Sequence, residues 1–393
     1  MLKLRGRVSY RGSRDLEPRL LQVTENLKFP HALRGKRALL ISHVPNQLSS
    51  IPEGFGAVLL RQESFLQDSA LGVPLDSGVY VLPGDYSYLA EGDIVRLSPQ
   101  TESISVIFRR RTPNNSILLT DRCNHYCLMC SQPPKNVEDS WLLEEAFELI
   151  RMLPGDTENI GFTGGEPTLY GDGFISLVAA AKANLPHTSL DVLSNGRAFA
   201  NDEFAGKLAS IAHPSLQVGI PLYSDDPVTH DYVVQSPGAY DETLRGILNL
   251  KRFGVRVEIR IVVHLQTLPR LVQTCEFISR NLLFVDHVAL MGLEITGFTR
   301  ANLDILWVDP YDYRDALSQA VNVLRTVGMN VSVYNHQLCV VNQDVEKECR
   351  QAISDWKNEY LPVCDDCEKR AKCGGFFSTQ IMHKHSRHIK PFR

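Results

Sequence analysis

Three cysteines in the spacing C-x3-C-x2-C, Cys123, Cys127 and Cys130, follow the short apolar run that starts at Ser116. Thiolates on one tight loop can hold three irons of a cubane cluster, whereas protein-bound [4Fe–4S] centres ordinarily take four cysteines. One iron is then left open. An open iron beside a strand end can chelate a small molecule through an amine and a carboxylate. Two plainer uses compete with this one. A structural zinc knuckle also places cysteines two to four residues apart, but it requires four ligands and usually draws the second pair from elsewhere. Disulfides fit poorly, because the nine cysteines are odd in number and Met1–Arg7 leads into no apolar signal region.

A second constellation is Gly161-Phe162-Thr163-Gly164-Gly165-Glu166-Pro167-Thr168. Gly164 and Gly165 carry no Cβ, so their backbone can approach a ligand and offer peptide groups to an ammonium. Glu166 would fix the turn or add charge. The plainer alternative is a tight turn with no ligand. Further on, Arg256, Glu258 and Arg260 alternate with apolar residues and so share one face of a strand. An arginine pointing into a closed barrel needs an anion. Arg260 could take a ligand carboxylate with its planar fork, or pair internally with Glu258.

Four more soft ligands gather near the end of the chain. Cys364, Cys367 and Cys373 give C-x2-C-x5-C, and Cys339 precedes them. Such a set makes a metal site, either a second iron–sulfur cluster or a structural zinc. Cys349 could replace Cys339, but it precedes the helix-like stretch 352–357, whereas Cys339 is expected to close a strand. Cys339 is therefore the preferred fourth ligand. Cys275, among Leu271, Val272, Phe277 and Ile278, reads as a small core hydrophobe. Glu294, near the end of the sixth barrel strand, could act as a base, although a buried structural carboxylate is the plainer reading.

The elements that must position these groups fall into two textures. Up to about residue 112, short apolar runs at 38–41, 57–60 and 78–82 alternate with Pro and Gly breaks, which is β-rich punctuation. Residues 91–98 and 104–109 alternate at period two around a turn, suggesting a hairpin at the edge of a small barrel or sandwich. From Ser116 the pattern becomes strand, loop, helix, repeated. Strands are expected at 116–120, 157–162, 189–194, 215–222, 255–264 and 285–291. Helices are expected over 141–153, capped by Asp139 or Ser140, and over 239–253, stopped by Gly254. Six such units predict an α/β fold, a partial (β/α)6 TIM-like barrel with active groups at the carboxyl ends of its strands. The expected domains are 1–112, β-rich; 113–300, the partial barrel; 301–380, a cysteine-rich extension; and 381–393, a basic His-rich tail. That tail reads more simply as solvated and disordered than as a site.

Length and composition set outer limits. A chain of 393 residues can bury a large core in two or three domains, and a net charge of −4 gives no general attraction to nucleic acid or to a membrane. No apolar stretch is long enough to cross a bilayer. A cytoplasmic location is expected, where a reducing environment suits thiolates committed to metal.

The cysteine loop and the Gly-Gly-Glu-Pro string together resemble the signature of the radical S-adenosylmethionine (SAM) enzymes. The C-terminal cysteines resemble the twitch or SPASM-type extensions of that superfamily. With the flank Ser131-Gln132-Pro133-Pro134 and the string Ser354-Asp355-Trp356-Lys357…Cys373-Gly374-Gly375-Phe376-Phe377, the chain is most similar to the His-Xaa-Ser system radical SAM maturases, the branch called HxsC. The resemblance implies that Cys123, Cys127 and Cys130 bind a [4Fe–4S] cluster whose open iron holds SAM. It implies that Gly164, Gly165 and Glu166 hold the methionyl amine, and that Ser194 and Asn195 contact the ribose. Met129 stands where the superfamily often has an aromatic on adenine; a thioether can still pack on a purine face. It implies an auxiliary cluster, of the [4Fe–4S] type, on Cys339, Cys364, Cys367 and Cys373.

The implied reaction is reductive cleavage of SAM to a 5′-deoxyadenosyl radical that modifies a ribosomal peptide bearing His-Xaa-Ser repeats. A flavodoxin- or ferredoxin-type electron donor and a second radical SAM maturase are implied partners. Another protein, a nucleotide-like small molecule, or a non-catalytic zinc-binding adaptor role are the alternatives.

Overall fold

The computed structural model describes residues 2–42, 51–61, 78–352, 354 and 358–393. Most of the helix-like stretch 352–357 and of the Ser354–Lys357 string therefore lies outside the described residues. The chain divides into two compact units, one of residues 2–116 with 148–157, the other of 117–147 with 158–393.

The first unit is built on a mixed sheet of β1 (Arg5–Arg7), β2 (Ser9–Arg11), β3 (Arg19–Thr24), β4 (Arg37–Ile41), β5 (Ala57–Leu60), β6 (Val79–Val81), β7 (Ile94–Ser98) and β8 (Ser103–Phe108). Its order is β1-β8-β7-β3-β4-β5-β6-β2. Only Val8 separates β1, paired antiparallel to β8, from β2, paired antiparallel to β6. One run of chain thus joins both ends of the sheet and closes it, which removes exposed edges. Val23, Leu59, Tyr86, Leu97 and Ile104, all fully buried, fill one cluster drawn from around this closed sheet. The hairpin expected over 91–109 is β7–β8. It lies inside the strand order rather than at an edge, because β1 covers β8.

The second unit carries β9 (Asn114–Leu118), β10 (Asn159–Thr163), β11 (Ser189–Leu193), β12 (Leu216–Pro221), β13 (Arg256–Val263), β14 (His287–Gly292), β15 (Val331–Tyr334) and β16 (Cys349–Arg350). They lie side by side in sequence order, and β10 to β16 pair in parallel. Helices α1 (Trp141–Met152), α2 (Asp172–Asn184), α3 (Asp202–Ser210), α4 (Pro227–Val234), α5 (Ala239–Arg252) and α6 (Leu271–Asn281) fall between successive strands up to β14. The six expected strands and both detailed helices are present within two or three residues of their expected bounds. Strand β13 shows the logic of the sheet: Val257, Ile259, Ile261 and Val263 are buried, while Arg256, Glu258 and Arg260 share the opposite face. Helix α5 stops at Gly254, which takes φ +77°.

The parallel sheet continues past the six expected strands through β15 and β16, so residues 301–393 cluster with the barrel. They include α7 (Phe298–Ala301), α8 (Leu303–Leu306), α9 (Arg314–Thr326) and α10 (Ser378–His383). Two expectations need correction here. Cys339 does not close a strand: β15 ends at Tyr334, Asn335 turns with φ +63°, and Cys339 lies in a 3₁₀ turn over Leu338–Val340. Cys349 opens β16. The tail is not a solvated strand of chain. Lys384 Nζ sits 4.0 Å from the Trp307 ring centroid, His388 stacks on Tyr311 at 4.0 Å, and Ser386 is buried. Among the described residues no helix is long and apolar enough to cross a membrane.

Candidate functional site

The cysteine loop leaves the carboxyl end of β9, the edge of a parallel sheet where ligands ordinarily bind. It is braced from several sides. Asp139, expected to cap α1 with its side chain, instead turns its carboxylate to the loop. It accepts from Thr120 Oγ1 at 2.8 Å, Asp121 N at 2.6 Å, Arg122 Nε at 3.0 Å and Tyr170 Oη at 3.2 Å. Burial would raise this carboxyl, but those hydrogen bonds and the Arg122 charge hold it below its ordinary value. Helix α4 supplies carbonyls to the loop, Val234 O to Tyr126 N and Val233 O to Leu128 N. Asn302 and Thr299 donate to Leu128 O and Met129 O, and Phe298 N to Cys130 O.

Gly164 and Gly165 lie directly on this loop. A Cβ at Gly164, where φ is +151°, would stand 2.4 Å from Thr120 O, and one at Gly165 only 2.1 Å from Arg122 O. Gly165 N and Glu166 N donate to those same two carbonyls, each at 2.8 Å. The close approach that glycine permits is thus made, in the first instance, by the cysteine loop itself.

Glu166 is fully buried and takes four hydrogen bonds: Thr168 N and Oγ1, Ser194 Oγ and Asn195 N, at 2.6–3.0 Å. Burial is the largest influence on its carboxyl and raises it, opposed by those donors. Ser194 and Asn195 are engaged in the same framework. Asn195 Nδ2 reaches Asn124 Oδ1 at 2.6 Å, Asn195 Oδ1 accepts from Arg197 N, and Ser194 Oγ accepts from Gly196 N. The Gly-Gly-Glu and Ser-Asn segments are therefore tied to each other and to the loop residue next to Cys123.

Cys123, Cys127 and Cys130 interact electrostatically with one another, and burial is the first cause raising all three thiols, Cys123 to about 11. Thiols so placed are protonated at neutral pH unless a metal cation takes the charge. Three such groups on one loop fit a cluster with one open corner. Met129 is buried with Tyr223, Val233, Val234, Leu293 and Leu306. Arg260 Nε is 3.5 Å from Glu258 Oε1, and its Nη2 contacts Met291 Sδ at 3.4 Å. The internal pairing expected as the alternative is thus present.

Three residues near the loop went unread in the sequence. His125 is buried and neither ring nitrogen has a hydrogen-bond partner; burial, then Arg197 and His230, lower its pKa to about 3. Its position between two cysteines was the available signal. Tyr223, just past β12, lies within electrostatic reach of Cys127, Cys130 and Arg260, and burial first, then the two sulfurs, hold its phenol well above the ordinary range. Asp139 was read only as a cap.

The second cysteine group also converges. Cys339, Cys364, Cys367 and Cys373 line one solvent-open cavity together with Tyr360 and Phe376. Cys349 does not line it, although it interacts with Cys373. Among the described residues no three His, Cys, Asp or Glu side chains close on a point that would hold a single ion. Cys275 is fully buried and burial raises its thiol to about 12, as a core residue should behave. Glu294 is half-buried just beyond β14.

Residues 117–278 match the family model described as the Radical SAM superfamily. This part of the chain is thus similar to the radical SAM superfamily, whose enzymes use a [4Fe–4S] cluster with SAM. Among curated proteins the chain is 32% identical over 146 residues to the GTP 3',8-cyclase of Haemophilus influenzae (strain 86-028NP), covering 36% of this chain and 41% of that one. It is 29% identical over 151 residues to the Fe-coproporphyrin III synthase of Methanosarcina barkeri, covering 38% and 36%. The match thus spans about two fifths of each relative. Among solved structures, Streptococcus suis SuiB bound to S-adenosylmethionine aligns with a TM-score of 0.47 at 16% identity, over 57% of this chain and 51% of that one.

Proposed function

We propose that the protein is a radical SAM peptide maturase acting on a His-Xaa-Ser repeat peptide. The observation that carries the enzymatic part is the braced three-cysteine loop seated on Gly164 and Gly165 within a matching radical SAM domain. Cys123, Cys127 and Cys130 would hold the SAM cluster. When bound, that cluster and SAM supply one-electron cleavage of the sulfonium to an adenosyl radical. Asp139 fixes the loop from below, and Glu166 fixes the Gly-Gly turn against Ser194 and Asn195. With the N–H groups of Gly165 and Glu166 already spent on Thr120 and Arg122, backbone carbonyls remain to receive the methionyl ammonium. Arg260, weakly held at 3.5 Å by Glu258, can swing to a ligand carboxylate. Met129 would bound the adenine through its buried cluster.

Four thiols converge on one cavity, and we assign it an auxiliary iron–sulfur cluster on Cys339, Cys364, Cys367 and Cys373. The peptide part of the reading rests on the Ser131–Pro134 flank and the C-terminal cysteine string. A second reading, action on a nucleotide, is favoured by the curated relatives named for GTP cyclisation. One experiment separates the two. The anaerobically reconstituted chain is incubated with SAM, dithionite and either a synthetic His-Xaa-Ser repeat peptide or GTP, followed by mass spectrometry. A mass change in the peptide alone supports the maturase; a change in GTP alone replaces it.

A further inference from the structure

At the carboxyl ends of β13, β14 and β15 lies a second, solvent-open cavity whose lining includes Val263, Gly292, Leu293 and Asn335 from the strand ends. Trp307 and Tyr313 wall it, and Gln337, Gln380, Lys384, His385 and Ser386 complete it. Two of these residues link it to the cysteine sites. Leu293 also packs in the cluster that contains Met129, with Cys127 against it, and Gln337 also lines the four-cysteine cavity. The pocket therefore lies one side chain from each.

Its chemistry is one-sided. The lining holds an ammonium, an imidazole, two hydroxyls and three carboxamides, and no Asp or Glu. Lys384 is an exposed residue whose Nζ lies over the Trp307 ring, 4.0 Å from its centroid. The C-terminal segment is held in place to present it: Gln380 Nε2 donates to Leu293 O at 3.1 Å, and Arg387 N to Asp309 Oδ2 at 3.3 Å. The floor is closely packed: Asn335 takes the left-handed φ +63° that asparagine tolerates, and a Cβ on Gly292 would stand 2.5 Å from Asn335 O.

We propose that this strand-end cavity seats a carboxylate of the peptide substrate, with Lys384 as its counter-charge, and so places the neighbouring residue between the two cysteine sites. The proposal rests on the peptide-maturase reading. The carboxylate could be an Asp or Glu side chain or the peptide's own C-terminus.

Three probes distinguish the sources: an N-acetylated His-Gly-Ser-His-Gly-Ser peptide with a free C-terminal carboxylate, the same peptide amidated, and the amidated peptide with one Gly replaced by Glu. Binding to the reconstituted full chain is measured by anaerobic calorimetry. At least one carboxylate-bearing probe should bind about tenfold tighter than the neutral amide, as a charge-assisted hydrogen bond implies. Lys384→Gln should abolish the preference and Lys384→Arg should retain it, which separates loss of charge from misfolding. Equal affinity of all three for the wild-type chain, no measurable binding of any, or a preference that survives Lys384→Gln would overturn the proposal. Release of 5′-deoxyadenosine by the same wild-type preparation without peptide reports on the enzymatic reading separately. Its absence would sink that reading while leaving the binding preference to be scored on its own.

Discussion

At Gly165 the margin is a single methyl group. The missing Cβ would stand 2.1 Å from Arg122 O, a backbone atom that cannot turn aside. Gly165→Ala should therefore displace the cysteine loop, at a cost of ~1–3 kcal/mol for an overpacked contact. Iron retained after anaerobic reconstitution should fall several-fold, while Gly155→Ala, whose Cβ meets nothing, should leave it unchanged. Glu166→Gln replaces an acceptor by an amide donor among four donors. It should lower stability by ~1–3 kcal/mol, read by chemical denaturation, because a buried donor loses its partner. The types of these residues were legible in the sequence, but their partners were not. Glu166 was correctly read as able to fix a turn, whereas the use of Asp139 as a brace depends on Thr120, Arg122 and Tyr170 meeting in space. No local pattern encodes that meeting.

Among the elements, β13, β14 and β15 are joined inside the barrel by a hydrogen-bonded row. His287 Nδ1 lies 2.6 Å from Glu258 Oε2, and His287 Nε2 lies 3.0 Å from Ser332 Oγ. Burial would raise the Glu258 carboxyl, but the His287 hydrogen bond and the Arg260 and His287 charges bring it below its ordinary value of 4.5. A depressed folded pKa contributes stability that is complete above the unfolded value and is lost as pH falls through the folded one. Thermal stability should accordingly drop on acidification below about pH 4.5, and Glu258→Gln should flatten that acid limb. The barrel strands were legible because each is a period-two or continuous apolar run bounded by turn residues. Strand β15, four residues long, was anticipated only as the strand that Cys339 would close, and β16, two residues long, was not. Cys339 was misplaced because the left-handed turn at Asn335 ends the strand early. The tail was misread because isolated contacts, Lys384 on Trp307 and His388 on Tyr311, leave no periodic trace.

Over the whole molecule, the closed sheet of residues 2–116 forms a core of its own, and its strands bear none of the cysteines. On the peptide-maturase reading proposed above, this separate core would bind the leader of the substrate. Deleting residues 1–110 should then weaken binding of a leader-bearing peptide to that of the short repeat peptide while the remaining chain still takes up iron, a pair of outcomes that calorimetry and metal analysis read together.

The central claim, that three braced thiols hold an iron–sulfur cluster able to cleave SAM, meets its most direct test in one assay. The anaerobically reconstituted chain and its Cys127→Ala variant are compared for iron content and for 5′-deoxyadenosine formed with SAM and dithionite. The account predicts about eight irons in the wild-type chain, about four in the variant, and 5′-deoxyadenosine from the wild type alone. An iron-free wild-type protein after reconstitution, or equal 5′-deoxyadenosine from the variant, would contradict it.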